Sequence, residues 1–244
     1  MDISIILPTY CERDNICQLI TAIENNLAVK DWQVEILVVD DNSPDQTAEV
    51  VEAMQPLPGF NIRCLVRKDE RGLATAIKYG LQQASGSRIV VMDTDFNHSP
   101  DNLVTMIELL QNCDLVIGSR FVKGGGMEDS LRYYGSLFFN LFIQFILLTP
   151  THDNLSGFFT IKRDCLTQLD LDKIFFGYGE YFIRLVYLSR LRGYEIKEIP
   201  VFYTLRKHGE SKSNFSSMIV DYSRTTFALR FSRPKKRDNF PVSK

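Results

Sequence analysis

The 244-residue sequence lacks a long apolar run, a cysteine framework, a cluster of histidines and any block of positive charge before its C-terminal segment. Each absence excludes a class of protein. The longest apolar stretch, residues 137–148 (LFFNLFIQFILL), contains Asn140 and Gln144 and falls short of the roughly 20 residues a bilayer-spanning helix needs. By itself, then, the chain is not expected to cross a membrane. The five cysteines (Cys11, Cys17, Cys64, Cys113, Cys165) are odd in number and scattered, without the close pairs of zinc sites or disulfide scaffolds. They are expected to be reduced, in a cytoplasmic protein. His98, His152 and His208 share no metal-ligand spacing, and none adjoins a Ser or Cys nucleophile with a third partner. No catalytic role is assigned to them. With 28 Lys and Arg against 30 Asp and Glu, the net charge is -2, and nucleic acid is excluded as a partner because binding its phosphates needs clustered cations. The first residues enter an apolar, strand-like run at once, with no charged region or cleavage site of a signal peptide, so export is not expected.

What is present is a regular alternation. Residues 3–7, 34–39, 62–66, 89–92 and 115–117 are short, β-branched apolar runs bounded by turn residues, the pattern of buried strands. Ile16, Leu19, Ile20, Ile23 and Leu27 repeat at helical spacing behind Asp14 and Asn15 as caps, and Leu103, Met106, Ile107 and Leu110 repeat the pattern. Strands alternating with helices imply an α/β fold with a mostly parallel central sheet and helices on both faces, whose ligands bind beyond the carboxyl ends of the strands. After residue 118 come a glycine-rich loop (Gly124, Gly125, Gly126), the apolar stretch, a strand at 158–161, a helix at 181–192, a strand at 196–203 and an amphipathic helix at 216–231. The apolar stretch fits a core helix, a helix lying in a lipid interface, or a contact with a membrane partner. Arg233, Lys235, Lys236 and Arg237 follow the last helix, a combination that suits an anionic membrane surface or, equally, a packed helix with a solvated tail. The expected division is a catalytic domain over 1–212 and an interfacial helix with a basic tail over 213–244.

Asp93 and Asp95, with Thr94 between them, leave the strand at 89–92 directly. Two carboxylates so close repel unless a cation or a hydrogen-bond network holds them. Mg²⁺ or Mn²⁺ bridging a diphosphate answers that need, with Asn97 adding an oxygen or holding a ligating water. A capped turn with Asp95 or Asn97 bonding backbone amides is the structural alternative, and for an isolated Asp-x-Asp it is the better one. Asp40 and Asp41 leave the second strand in VVDDNSPDQT, beside PTYCERDN at the exit of the first. Together they form a polar rim suited to a nucleotide's base and ribose, or simply a turn that caps the next helix.

The segments PTYCERDN, VVDDNSPDQT, RGLATAIKYGLQQASG, VVMDTDFNHSPD, VIGSRF, DNLSGFFTIKR and RKHGESK resemble, in order and spacing, those of dolichol-phosphate mannose synthases and related polyprenyl-phosphate glycosyltransferases. The likeness runs from about residue 3 to residue 213. It implies the Rossmann-like, A-type glycosyltransferase fold and transfer of a hexose, with inversion, from GDP-mannose or UDP-glucose to a polyprenyl or dolichyl phosphate. It further implies that Pro8, Tyr10, Glu12 and Asp41, with Asp40 beside them, line the nucleotide pocket, and that Arg71 and Gly72 close over the donor. Asp93, Asp95 and Asn97 would hold the metal. Arg120, Arg132, Ser136 and Arg206 would face the phosphates, and Ser211 and Lys212 would cover the donor. In GYGEYFIR, Glu180 is the nearest acidic candidate. The implied setting is the cytosolic face of a membrane, which leaves room for a separate membrane-anchoring subunit. Two other readings compete. A saccharide hydroxyl as acceptor would need a carboxylate base, Glu180 or Asp153, and a nucleotide-sugar-binding subunit without catalysis would need no intact acidic pair.

Overall fold

The computed structural model describes residues 1–204 and 215–231, the second stretch with side chains from Met218 onward. Arg206, Ser211, Lys212 and the basic run at 233–237 lie outside the described residues.

Strand β1 (Ile3–Thr9) is followed by helix α1 (Arg13–Leu27), β2 (Val34–Asp40), α2 (Thr47–Glu52), β3 (Phe60–Val66), α3 (Leu73–Gln83), β4 (Arg88–Val91), α4 (Leu103–Leu109) and β5 (Leu115–Ser119). The chain then forms β6 (Gly126–Met127), α5 (Ser130–Leu147), β7 (Phe159–Lys162), α6 (Arg163–Thr167), α7 (Leu171–Ile174), α8 (Tyr181–Leu191), β8 (Ile196–Pro200), β9 (Phe202–Tyr203) and α9 (Phe215–Phe231). Seven strands make one sheet in the order β3-β2-β1-β4-β7-β5-β8, and β6 pairs with β9 in a separate ribbon. Every pairing in the large sheet is parallel except those of β7, which runs antiparallel to both β4 and β5.

Alternation along each strand supplies two cores. Ile3, Ile5, Leu7, Val34, Ile36 and Val38 point to the face covered by α1 and α4, whereas Ile6, Leu37 and Val39 point to the face covered by α3 and α8. Both faces are buried, so the central strands are apolar at nearly every position. Gly80 lets α3 approach the sheet, since a Cβ there would lie 2.6 Å from Ile6 Cγ2. A third cluster joins α5, α8 and α9 through Ile143, Leu147, Ile183 and Tyr222.

Three local expectations are corrected. Helix α1 begins at Arg13, which places Asp14 and Asn15 inside its first turn rather than at its cap, and the Asn15 amide reaches back 2.8 Å to Glu12 Oε2. The strand expected over 196–203 divides between β8, on the sheet edge where Pro200 costs no ladder bond, and β9 in the ribbon. The apolar stretch is not a core helix. Along α5 only Asn140, Ile143 and Leu147 are buried, while Leu131, Tyr134, Phe138, Leu141, Phe145 and the following Leu148 are 54% to 86% exposed. Those six recur at alternating intervals of three and four, which draws one continuous apolar ridge along the helix. Among the described residues no helix is long and apolar enough to cross a membrane.

Candidate active site

In this strand order β1 connects outward to β2 and β3, and the chain then returns to the other side of β1 with β4. A crevice opens where the order reverses, beyond the carboxyl ends of β1 and β4. The residues leaving β1, β2 and β4 therefore meet at one edge.

On the β1–β2 side, Arg71 lies over the ring of Tyr10, its guanidinium carbon 4.5 Å from the centroid and Nη1 3.0 Å from the hydroxyl. Asp41 accepts from Arg67 Nε at 2.7 Å and from the Gly72 main-chain N–H at 2.8 Å. Gly72 adopts φ +146°, a conformation costly for any residue with a Cβ. Asp40 accepts from the Ser43 main-chain N–H at 2.9 Å and from the Ser43 hydroxyl, and Pro8 is buried near the end of β1. The expected turn chemistry is thus present, and Asp40 and Asp41 are themselves 1% and 6% exposed.

The second group surrounds a cavity of about 200 Å³. Asp93 and Asn97 reach it from the β4 exit, Arg120 from the β5 exit, Arg132 from the start of α5, and Tyr203 from β9. Gly179 and Tyr181 line it at the amino end of α8, where the helix dipole favours an anion. Asp95 lies behind the wall, buried, and its carboxylate accepts from the Asn97 main-chain N–H at 3.2 Å and from Asn97 Nδ2 at 2.8 Å. Asp93 and Asn97 offer hard oxygen donors and Asp95 supports them, which suits a cation that completes its shell with substrate phosphates. Among the described residues no group of three His, Cys, Asp or Glu could form a metal cage unaided.

Arg120 is almost fully buried and forks onto Asp153, with Nε and Nη2 each 2.7 Å from a carboxylate oxygen. Burial disfavours its charge, but the Asp153 carboxylate more than offsets that and raises its pKa. Asp153 is fully enclosed by this bond and by main-chain N–H groups of Arg120 and Leu155. It is poorly placed to take a proton from a substrate. Glu180, expected as another acidic candidate, stands at the N-cap position of α8 without a side-chain capping bond, accepts from the Tyr178 main-chain N–H at 3.1 Å, and does not line the cavity.

A second cavity of about 580 Å³ lies between α5 and α9 and shares Arg120, Arg132, Leu155, Met218 and Tyr222 with the first. Phe138, Phe139, Phe142 and Ile219 make most of its wall apolar, and Ser136 also lines it. A polar chamber thus opens into an apolar groove, with two arginines where they join. Sequence reasoning missed Tyr181, Tyr203 and Tyr222, whose phenol pKa values burial pushes up. The one signal was the place of Tyr181 at the start of α8 and of Tyr203 at the end of β9; Tyr222, inside α9, carried none.

The model of glycosyl transferase family 2 matches residues 4–169. The dolichol-phosphate mannosyltransferase of Pyrococcus furiosus is 34% identical over 94% of this chain and 64% of its own length, so the chain spans less than two thirds of that relative. The dolichol-phosphate mannosyltransferase of Saccharomyces cerevisiae is 30% identical over 91% of this chain and 84% of its own. Among solved structures, glucosyl-3-phosphoglycerate synthase from Mycobacterium tuberculosis, in complex with Mn²⁺, UDP and glucosyl-3-phosphoglycerate, superposes with a TM-score of 0.69. That pairing covers 96% of this chain and 81% of the other at 20% identity, a likeness of fold. The same synthase with Mg²⁺ and UDP gives a TM-score of 0.67 at 20% identity, over 96% of this chain and 81% of the other.

Proposed function

The chain belongs to glycosyl transferase family 2, and from that membership we propose that it transfers mannose from GDP-mannose to a polyprenyl or dolichyl phosphate, with UDP-glucose the next donor to try. The observation that carries this reading is the junction of the polar chamber with the apolar groove at Arg120 and Arg132. A donor needs an anion-tolerant chamber, whereas an isoprenoid chain needs an apolar slot that begins where its phosphate ends.

A lipid phosphate is already ionised near neutral pH and needs no general base. One of its oxygens attacks the anomeric carbon as the bond to the nucleotide diphosphate breaks, and in-line approach inverts that carbon. Arg120 and Arg132 hold the acceptor phosphate, and the buried Asp153 keeps the Arg120 fork aimed. A divalent cation held by Asp93 and Asn97, with Asp95 behind them, would neutralise charge on the departing diphosphate. Tyr10, Glu12, Asp40, Asp41, Arg71 and Gly72, with Pro8 beneath them, take the nucleotide. Arg206 would face the phosphates, and Ser211 and Lys212 would cover the donor, in this reading; all three lie outside the described residues. A saccharide-hydroxyl acceptor is disfavoured because the enclosure of Asp153 and the capping position of Glu180 leave neither as a base. The exposed ridge of α5 and the C-terminal helix rest on the cytosolic face of a membrane, with or without an anchoring subunit.

The test is transfer of radiolabelled mannose from GDP-mannose, with Mn²⁺, into an organic-extractable, acid-labile product. Wild-type protein should form it, and Asp93→Ala should lose about a hundredfold or more in kcat/KM. No product from GDP-mannose or UDP-glucose across a panel of polyprenyl phosphates would overturn the reading.

A further inference from the structure

His98 takes no part in the chemistry above, yet it is buried beneath the loop that carries the acidic pair. The main-chain N–H of Asp93 donates to His98 Nδ1 at 2.9 Å. A ring nitrogen that accepts carries no proton, so the network assigns the proton of the neutral ring to Nε2. Nε2 faces the Tyr203 hydroxyl at 2.8 Å, and that hydroxyl donates to the Ser156 carbonyl oxygen at 2.9 Å. Every bond in the chain has one direction. The ring is fixed as well, stacked on Phe158 with centroids 4.9 Å apart and edge-on to Tyr203 at 5.0 Å.

The loop needs such a hold. Phe96 adopts φ 62°, which a bulky residue sustains only where its surroundings over-determine the backbone. Tyr203 also presents its ring to Arg120, whose guanidinium carbon lies 4.8 Å from the centroid. One residue thus touches both the support of Asp93 and the cation at the junction of the cavities.

We propose that His98, steadied by Tyr203, is a positioning residue that fixes the main chain of Asp93 and so aims its carboxylate at the cation of the donor complex. The inference rests on the metal reading above and goes beyond it, because it assigns the aim of Asp93 to a group that touches neither metal nor substrate.

Mn²⁺ affinity, measured without turnover from the electron paramagnetic resonance of the free ion with GDP present, tests it. His98→Ala is expected to weaken Mn²⁺ binding by about tenfold or more. His98→Asn, whose Oδ1 can accept the same N–H but which has no second nitrogen to meet Tyr203, should fall between wild type and His98→Ala. Tyr203→Phe keeps the ring beside Arg120 but removes the hydroxyl, and should weaken Mn²⁺ in the same direction as His98→Ala. Melting temperatures are read in parallel. A His98→Ala protein that melts lower but binds Mn²⁺ as wild type does is merely a poorer core, and the proposal fails. Should His98→Ala not fold, Tyr203→Phe against His98→Asn decides, and unchanged affinity in Tyr203→Phe overturns it. Wild-type protein that takes up no Mn²⁺ with GDP, UDP or dTDP would instead sink the metal reading, and this proposal with it.

Discussion

Arg67 and Asp41 form an ion pair with both side chains nearly enclosed, Nη2 lying 2.5 Å from Oδ1. The pair ties β2 to the segment that reaches Gly72, because Arg67 Nη2 also donates to the Gly72 carbonyl at 3.1 Å. Removing one partner of a buried pair leaves the other charge uncompensated, at a cost of about 3 kcal/mol or more. Arg67→Ala should therefore lose that much in chemical denaturation, and a loss near that of a surface substitution would show the pair to be wet. Asp41 was legible as an acidic residue at a strand exit, but its partner Arg67 was not, since nothing local marks which arginine will fold back onto it. The tyrosines of the chamber were hidden for a similar reason. Their hydroxyls matter only once α8, β9 and α9 converge, and sequence neighbours carry no trace of that convergence.

At the scale of elements, short β-branched apolar runs and helical repeats revealed the strands of the sheet and helices α1 and α4, because burial on one or two faces imposes them directly. Direction was not legible. β7 follows a long helix that lies outside the simple strand–helix alternation, and its antiparallel pairing with β4 and β5 joins segments far apart in sequence. The apolar stretch illustrates the same limit, since composition alone could not say whether its large side chains turn inward. In α5 they turn outward, although buried Asn140 still accepts the Asn154 main-chain N–H at 2.6 Å on the inner side. If the ridge meets lipid, the double substitution Leu131→Glu with Phe145→Glu should reduce co-sedimentation with anionic vesicles by about tenfold or more, given roughly 1.5 to 3 kcal/mol for each large apolar side chain buried. Both residues are over three-quarters exposed, so the melting temperature should hold. Undiminished sedimentation would remove α5 from the membrane contact.

Across the whole molecule, the sheet places the carboxylates of Asp40, Asp41 and Asp93 and the guanidinium of Arg120 at one edge, Arg132 joins them from α5, and α5 and α9 extend that edge into an apolar groove. The edge follows from topology and was legible in the order of the motifs. The groove was not, because it exists only between two helices far apart in sequence. The proposed reaction makes one physical demand of that junction: two anions must meet where chamber and groove join, with cations arranged to offset their repulsion. A crystal structure with Mn²⁺, GDP and a short-chain polyprenyl phosphate tests this most directly. The account predicts the metal between the diphosphate and Asp93, the lipid phosphate on Arg120 and Arg132, and the isoprenoid chain against Phe138, Phe139 and Phe142. A lipid phosphate bound elsewhere, with the groove empty and Asp93 clear of the metal, would contradict it.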